Sequence, residues 1–325
     1  MAGRIPLLCI VGPTAVGKTE VAIELATQLG GEIVSADSMQ IYKRMDIGTA
    51  KPTPEQRAQA RFHLIDYVAP DEPYSVQRYQ REAKSAIAEI HERGALPLMC
   101  GGTGLYVKAV LDHYVFPPGD GTEGIREQLQ QEATQHGAEA LHRRLQDSDP
   151  DAAAKTPPQN VKRVIRALEV FALTGKPMSR VASVDRSSEI EYNPLLVGIC
   201  MPRARLYQQI EARVDAMMAA GLLEEVEGLL GDGYGRHLQS MQALGYRQLA
   251  AYVAGETSLS DAVDAVKVAT RRYAKRQLTW LRPDQRVNWI DLPERQCLWG
   301  AVHAILALWH EHMRRDDAAR TSLRH

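Results

Sequence analysis

The chain has 325 residues, of which 45% are hydrophobic and 24% charged, and its formal net charge is −1. This length and composition are ordinary for a globular protein of about two domains. No apolar run approaches the ~18 residues that span a bilayer and no leader sequence precedes the first strand, so we expect a cytoplasmic protein without a membrane segment.

The first elements predicted in the chain are a strand and a phosphate-binding loop. The apolar run over residues 7–11 predicts a buried strand, and the residues after it match G-x-x-x-x-G-K-[ST] at every fixed position. A helix that ends at Gly30 and Gly31 follows. Backbone N–H groups at its start and the Lys18 ammonium would contact a di- or triphosphate, and the Thr19 hydroxyl could contact Mg²⁺. The loop comprises Gly12, Pro13, Thr14, Ala15, Val16, Gly17, Lys18 and Thr19.

Strands and helices then alternate. Strands are predicted at 32–36 and 96–100, a short extended piece at 62–65, and a helix from Ser75 to a stop at Gly94. This alternation predicts an α/β protein with a P-loop NTPase-like, doubly wound and mostly parallel sheet. Ligands of such sheets bind at the carboxyl ends of the strands. Three polar loops would meet there, namely the phosphate loop, residues 37–40 and residues 102–103.

The strand pattern stops near residue 117. Helical patterns at 125–135, 138–146 and 161–173 predict a helical insertion domain over 117–190, with 1–116 and 191–290 forming the catalytic core. A last strand at 195–200 is expected to return to the sheet. Helices are predicted at 206–219, 222–230, 244–254 and 259–281, and a disordered tail at 314–325.

The sequence also contains two basic clusters and four cysteines. Residues 271–282 combine cations with aromatic side chains, and Lys162, Arg163 and Arg166 form a second cluster on a predicted helix. Each cluster alone is typical of a solvated helix face, but a balanced net charge does not exclude a polyanionic partner. The cysteines are scattered without a C-x-x-C pair, which predicts buried thiols and neither zinc nor disulfides. They are Cys9, Cys100, Cys200 and Cys297.

The acidic residues restrict the chemistry. The loop pattern is typical of ATP-binding proteins, yet the strand at 96–100 ends in Gly-Gly-Thr without the metal-holding acid of most such enzymes. Asp37 is the acid predicted at a strand end near the loop. A kinase of a small metabolite or nucleoside would require Asp37 both to hold Mg²⁺ and to position an acceptor. Alternatively, the diphosphate is the leaving group and Asp37 takes a proton from a nucleophile. A third reading is an RNA-binding module with a degenerate nucleotide site.

A set of motifs makes the chain resemble the bacterial tRNA dimethylallyltransferase (tRNA isopentenyltransferase) family over about residues 7–290. The motifs lie at residues 12–19, 35–42, 45–52, 63–66, 74–76, 101–106, 245–248 and 275–282. The resemblance implies transfer of a dimethylallyl group from dimethylallyl diphosphate to N6 of the adenine that follows the tRNA anticodon (position 37), with Mg²⁺ as cofactor and release of diphosphate.

The same resemblance implies roles for particular residues. Asp37 would be the general base toward the adenine amino group, Thr103 would orient the diphosphate or its bridging oxygen, and Arg213 would clamp the diphosphate. The target adenine would be extruded from the anticodon loop into a channel, and Gln40 is a candidate reader of its edge. We expect a monomer that binds the anticodon stem-loop. The residues expected to face tRNA are Asp37, Ser38, Met39, Gln40, Arg126, Gln159, Lys162, Arg163, Arg166, Gln242, Gly245, Tyr246, Arg247, Gln248, Lys275, Arg276, Gln277, Trp280 and Arg282.

Overall fold

The structure is a computed structural model that describes residues 4–112, 114, 116, 123–181, 191–293 and 297–322. The chain forms two compact units. The first comprises Met1–Leu111 and Ile190–His325, and the second comprises Asp112–Glu189. The first unit contains the sheet, and the second is helical.

The first unit is built on a parallel six-stranded sheet. Its strands are β1 (Ile5–Val11), β2 (Gly31–Ser35), β3 (Phe62–His63), β4 (Leu96–Gly101), β5 (Tyr192–Cys200) and β6 (Val287–Asp291). They lie in the order β3-β2-β4-β1-β5-β6, and each neighbouring pair is parallel. This confirms the predicted fold class. The central strand β1 is a continuous apolar run because both of its faces are covered.

Helices of the first unit cover both faces of the sheet. In chain order the helices of the two units are α1 (Lys18–Leu29), α2 (Pro54–Gln59), α3 (Val76–Glu92), α4 (Gly104–Leu111), α5 (Glu123–Ser148), α6 (Pro150–Ala154), α7 (Val161–Thr174), α8 (Met178–Val181), α9 (Arg203–Ala219), α10 (Leu222–Gly231), α11 (Tyr246–Val253), α12 (Leu259–Leu281) and α13 (Leu298–Ser322), of which α5 to α8 belong to the second unit. Leu7 and Cys9 of β1 pack into a core that includes residues of α3, α10 and α11. Leu8 and Ile10 pack into a second core with residues of α1, α9 and α13. No helix within the described ranges is both long and apolar enough to cross a membrane.

The C-terminal part differs from the prediction. The sequence analysis does not predict β6 or α13. The prediction of a disordered tail from residue 314 is wrong for residues 314–322, because α13 continues to Ser322. Ala301, Val302, Ile305 and Trp309 bury one side of α13. Once a helix is anchored in this way, each further residue adds a hydrogen bond without a new nucleation cost. An Arg315–Glu311 ion pair one turn apart also supports the extension.

The second unit has a small core of its own. α5 is interrupted at Gly137, whose φ of 83° is non-helical, and this break lies between the two helices predicted at 125–135 and 138–146. α7 matches the predicted helix at 161–173. The core comprises Leu129, Leu141, Leu145, Ala153, Val164, Ile165, Ala167 and Leu168.

Candidate active site

Three loops meet at the carboxyl edge of the sheet, as the sequence predicted. They follow β1, β2 and β4, which are neighbours in the order β2-β4-β1. Because the strands are parallel, residues 12–17, 37–40 and 102–103 leave the sheet on the same side. This edge is therefore the position of the candidate site.

The phosphate loop depends on its two glycines. A Cβ on Gly12 would lie 2.3 Å from the Ile199 carbonyl oxygen, so the close approach of β5 excludes a side chain there. Gly17 is the N-cap of α1 and has a φ of 93°, which favours glycine. The loop therefore brings its backbone to the positive end of α1, where anions bind.

Lys18 lies in the wall of the cavity formed by this loop. Its Nζ donates a hydrogen bond of 2.6 Å to the Pro13 carbonyl oxygen. Burial is the main cause that lowers the pKa of Lys18 from its usual value of 10.5 to about 8, and the nearby Arg213 lowers it further, while Asp37 opposes the shift. Thr19 and Glu20 line the same cavity.

Asp37 follows β2 and is oriented by the backbone of its own loop. Its Oδ1 accepts hydrogen bonds from the N–H groups of Met39 at 2.9 Å and Gln40 at 3.4 Å. Both bonds use the same carboxylate oxygen, so the carboxylate is held in one orientation while Oδ2 is not part of this turn.

Two cavities meet at Asp37. The first has a volume of about 380 Å³ and is lined by the phosphate loop, including Lys18 and Thr19. The second has a volume of about 290 Å³ and is lined by Ser38, Met39 and apolar side chains of α9. Both cavities are lined by Thr14, Asp37, Thr49, Ala50 and Arg213. A phosphate compound in the first cavity and an acceptor in the second would therefore meet beside the Asp37 carboxylate.

Arg213 and Thr103 differ in their placement. Arg213, on α9, lines both cavities, which is where a clamp on a diphosphate is required. Thr103 is not among the residues that line either cavity. Its Oγ1 accepts a hydrogen bond of 3.2 Å from the Ser38 N–H, and its own N–H donates to the Ala36 carbonyl oxygen at 3.1 Å. Thr103 therefore connects the loop after β4 to the Asp37 loop, and its role toward the diphosphate stays a prediction.

The structure corrects the expected tRNA contacts of the Tyr246 and Gln277 side chains. Tyr246 is fully buried, and its hydroxyl donates to Glu225. Gln277 is 5% exposed, and its amide bonds to Thr14 and Gly102. The Tyr246 side chain therefore serves the core, and the Gln277 amide holds two loops of the site.

The Gln40 amide is also engaged within the chain. Its Nε2 donates to the carbonyl oxygens of Thr49 at 3.2 Å and Ala50 at 3.1 Å. Its Oε1 accepts a hydrogen bond of 3.3 Å from the Ser35 hydroxyl. These bonds attach the Asp37 loop to the cavity wall at 49–50, and reading a base edge would require their replacement.

The other expected tRNA-facing residues of the first unit are mostly accessible. The second cavity is lined by Gln242, Gly245, Arg247 and Arg276 as well as by Ser38 and Met39. On α12 and at its end, Lys275, Arg276, Trp280 and Arg282 are exposed, while Gln248 on α11 is half-buried. Trp280 is 48% exposed, and the Lys108 ammonium lies 5.7 Å from its ring centroid. This combination of cations and an exposed aromatic ring suits an RNA surface.

In the second unit, a buried carboxylate that sequence reasoning missed organises two of the expected arginines. Glu169 is completely buried, and its oxygens accept hydrogen bonds from Arg126 at 2.5 and 3.0 Å and from Arg166 at 3.4 Å. Lys162, Arg163 and Gln159 are exposed. The sequence does contain a signal for this carboxylate. Glu169 lies on the apolar face of α7, and a charged group on a buried face requires a partner.

Glu225 was also missed, although it shapes the first cavity. Its carboxylate accepts hydrogen bonds from the N–H groups of Asp46 and Ile47, both at 2.8 Å, and of Gly48 at 3.1 Å. The Tyr246 hydroxyl donates to the same group at 2.5 Å. These bonds fix the segment that leads into Thr49 and Ala50 of the cavity wall.

The donor groups at the site suit a metal held through a bound phosphate. The described residues contain no cluster of three or more His, Cys, Asp or Glu side chains that could hold a metal ion alone. The first cavity is nevertheless lined by the Thr19 hydroxyl and by the carboxylates of Glu20 and Asp37. Mg²⁺ typically binds to one or two such oxygens together with phosphate oxygens and water.

Comparison with known proteins agrees with this geometry. A family model described as IPP transferase matches residues 40–284. The tRNA dimethylallyltransferase of Thermomicrobium roseum is 48% identical over 294 residues, which cover 90% of this chain and 88% of the relative. The tRNA dimethylallyltransferase of Symbiobacterium thermophilum is 46% identical over 308 residues, which cover 95% of this chain and 96% of the relative.

Solved structures give the same result. The full-length tRNA isopentenylpyrophosphate transferase from Bacillus halodurans is 41% identical, with a TM-score of 0.70 and coverage of 97% of this chain and 100% of that chain. A eukaryotic dimethylallyltransferase acting on tRNA is 28% identical, with a TM-score of 0.76, and the match covers 88% of this chain and 74% of that chain. With its phosphate loop, its strand-end aspartate and similarity to these proteins over most of its length, the chain belongs to the IPP transferase family.

Proposed function

We propose that this protein transfers a dimethylallyl group from dimethylallyl diphosphate to N6 of the adenine 3′ to the anticodon of tRNA, and releases diphosphate. The observation that carries the proposal is the position of Asp37, which lines both the phosphate-loop cavity and the second cavity. The names of the relatives support the same reaction.

The first cavity provides the groups that a departing diphosphate needs. Lys18 and Arg213 supply positive charge, and the loop supplies N–H groups at the start of α1. Charge on the diphosphate increases as the bond between the prenyl C1 and oxygen breaks. Donors fixed in advance stabilise this developing charge most strongly at the transition state.

The second cavity provides a place for the acceptor. The adenine N6 attacks the prenyl C1, and the electron pair of the broken C–O bond leaves with the diphosphate. Positive charge then develops on N6 until its proton moves to the Asp37 carboxylate. The loop hydrogen bonds to Oδ1 hold that carboxylate in place for the transfer.

Mg²⁺ would be held by the Thr19 hydroxyl together with the bound diphosphate, and the carboxylates of Asp37 and Glu20 line the same cavity. Bound there, it would supply further positive charge to the leaving group.

The kinase alternative is not favoured. β4 ends at Gly101, and the next residues are Gly102 and Thr103. The end of this strand therefore carries no acid at the position where a kinase would need one to hold its metal. Asp37 would then have to hold the metal and position the acceptor. Similarity to tRNA dimethylallyltransferases over most of the chain also argues against it.

One incubation tests the proposed function. Purified protein, Mg²⁺ and unmodified tRNA are incubated with radiolabelled dimethylallyl diphosphate, and a matched reaction contains radiolabelled ATP. We expect label in the RNA only from the prenyl donor. Transfer of label from ATP to an added nucleoside or small metabolite, with none from the prenyl donor to the RNA, would favour the kinase. Binding of tRNA without transfer of either label would favour the RNA-binding module.

Ligand preference can be measured without turnover. We expect dimethylallyl diphosphate to bind to the phosphate loop in preference to ATP, because the groups at the cavity favour a departing diphosphate. Isothermal titration calorimetry with each compound in the presence of Mg²⁺ provides the comparison. Tight ATP binding together with no heat from the prenyl diphosphate would contradict this expectation.

Binding of tRNA is expected to depend strongly on salt despite the net charge of −1. Each cation that neutralises a phosphate releases counterions. Replacing Lys275 and Arg276 with Ala should reduce the magnitude of the slope of the logarithm of the binding constant against the logarithm of the salt concentration by roughly 1 to 2. The same change should weaken the binding of all tRNAs to a similar extent. The cations expected to contribute are Lys162, Arg163, Arg166, Arg272, Lys275, Arg276 and Arg282.

A double alanine variant of Arg314 and Arg315 on α13 is the matched control. It removes the same charge outside the segments expected to face tRNA. Equal slopes for the α12 variant and the wild type would show that Lys275 and Arg276 do not contact tRNA phosphates and belong to a solvated helix face.

A further inference from the structure

Two side chains of α12 connect the three loops of the site. Gln277 and Tyr273 lie one helical turn apart and therefore on the same face of α12. The Gln277 Oε1 accepts a hydrogen bond of 2.8 Å from the Thr14 N–H, and its Nε2 donates to the Gly102 carbonyl oxygen at 3.0 Å. One amide thus joins the phosphate loop to the loop after β4.

Tyr273 lies between this connection and the Asp37 loop. Its hydroxyl is close to the side chains of Gln277 and Thr103, and Tyr273 lines the second cavity together with Asp37 and Ser38. The Thr103 Oγ1 in turn accepts a hydrogen bond of 3.2 Å from the Ser38 N–H. The bonds of Gln277 and Thr103, joined by the backbone of the adjacent residues Gly102 and Thr103, therefore form a path from Thr14, beside the diphosphate position, to Ser38, beside the general base, and Tyr273 packs against both side chains of this path.

The packing leaves little freedom in this path. Gln277 is 5% exposed, and a Cβ on Gly102 would lie only 2.0 Å from the Gln277 Nε2. The loop after β4 can approach this amide only because residue 102 has no side chain. An unsatisfied polar group at such a depth is costly, so the amide and the two loops favour a single arrangement.

We propose that Tyr273 and Gln277 are positioning residues that fix the distance between the phosphate loop and the Asp37 loop, and thereby align the prenyl donor with the base. The inference rests on the proposed function. Misplacement of reacting groups by about 1 Å can slow a reaction by as much as ~10²-fold. The path is therefore expected to act on the chemical step more than on affinity.

The test uses Tyr273→Phe, which removes only the hydroxyl, and Gln277→Met, which keeps the length of the side chain without its hydrogen bonds. Tyr74→Phe is the matched control, because it removes a hydroxyl that bonds to Tyr67 and Glu82 outside both cavities. Single-turnover rates, dissociation constants for both substrates and melting temperatures are measured for each variant.

We expect both α12 variants to slow single turnover by ~10-fold to ~100-fold at saturating substrates, with dissociation constants within a few-fold of the wild type. Combining them should slow the reaction little more than the slower single variant does, because both interrupt one path. Tyr74→Phe should keep the wild-type rate even if its melting temperature falls.

Failure of this inference is distinct from failure of the proposed function. A wild-type enzyme that does not prenylate tRNA would overturn the proposed function. A wild-type enzyme that does so, with Tyr273→Phe and Gln277→Met at the same rate, would overturn the positioning role, and so would a loss of stability without a loss of rate. If Gln277→Met does not fold, Tyr273→Phe decides the question.

Discussion

Asp37→Asn is expected to lower the single-turnover rate of prenyl transfer by ~10² to 10⁴, with little change in the binding of either substrate. Asparagine keeps the shape of the side chain and one oxygen, so the bonds from the Met39 and Gln40 N–H groups can persist. It removes the carboxylate that accepts the proton from N6. It also removes the negative charge beside N6 as positive charge develops there.

A metal-holding role for Asp37 would give a different result. In that case Asp37→Asn should weaken the binding of the diphosphate, and added Mg²⁺ should restore part of the rate. Rapid-quench measurements across a range of Mg²⁺ concentrations separate the two roles. A variant rate close to that of the wild type at saturating tRNA and prenyl diphosphate would exclude both and place the base elsewhere.

Lys18→Met is the second substitution with a large expected effect. It removes the ammonium beside the departing diphosphate, and we expect kcat/KM for dimethylallyl diphosphate to fall by ~10² to 10³ at pH 7. The stem of the side chain keeps its length, so the loop should retain its shape. Circular dichroism of the variant checks that the fold is intact.

The pH dependence of the wild type provides an independent measurement. Burial lowers the pKa of Lys18 to about 8, so the free enzyme carries the ammonium below pH 8 and a neutral amine above it. Because a diphosphate favours the ammonium, kcat/KM for the prenyl donor should decrease above about pH 8, by up to ~10-fold per pH unit. Lys18→Arg keeps its charge in this range and should lose the decrease.

A decrease that persists in Lys18→Arg would assign the titration to another group. A wild-type profile that is flat up to pH 10 would show that the ammonium keeps its proton in the free enzyme.

The part of the fold that could be predicted is the part encoded locally. An apolar run, a glycine-rich loop and a helical pattern are contiguous in the sequence, so the phosphate loop, its strand and α1 were predictable. The meeting of the three loops followed from the geometry of parallel strands. β6 was missed because Val287–Asp291 has only five residues and its apolar residues are interrupted by Asn288. The apolar residues of α13 have helical spacing, so the sequence does contain a signal for this helix.

The parts of the site that could not be predicted depend on distant pairs. Gln277 bonds to Thr14 across 263 residues of sequence, and Glu225 bonds to the 46–48 segment across 177 to 179 residues. Nothing beside Gln277 in the chain indicates that its amide would be buried, since its neighbours Lys275 and Arg276 are exposed cations. Family resemblance suggested Arg213, but only the structure places it between the two cavities.

The position of β1 in the sheet has a consequence for biosynthesis. β1 is synthesised long before β5, one of its two neighbours in the sheet, which ends at Cys200. Until that point is synthesised, one edge of the nascent β1 cannot form its native pairing, and such edges promote aggregation. The helical unit at Asp112–Glu189 is made during this interval. Chaperone dependence should therefore be greatest for ribosome-bound chains from which β5 has not yet emerged, and should decline once it has.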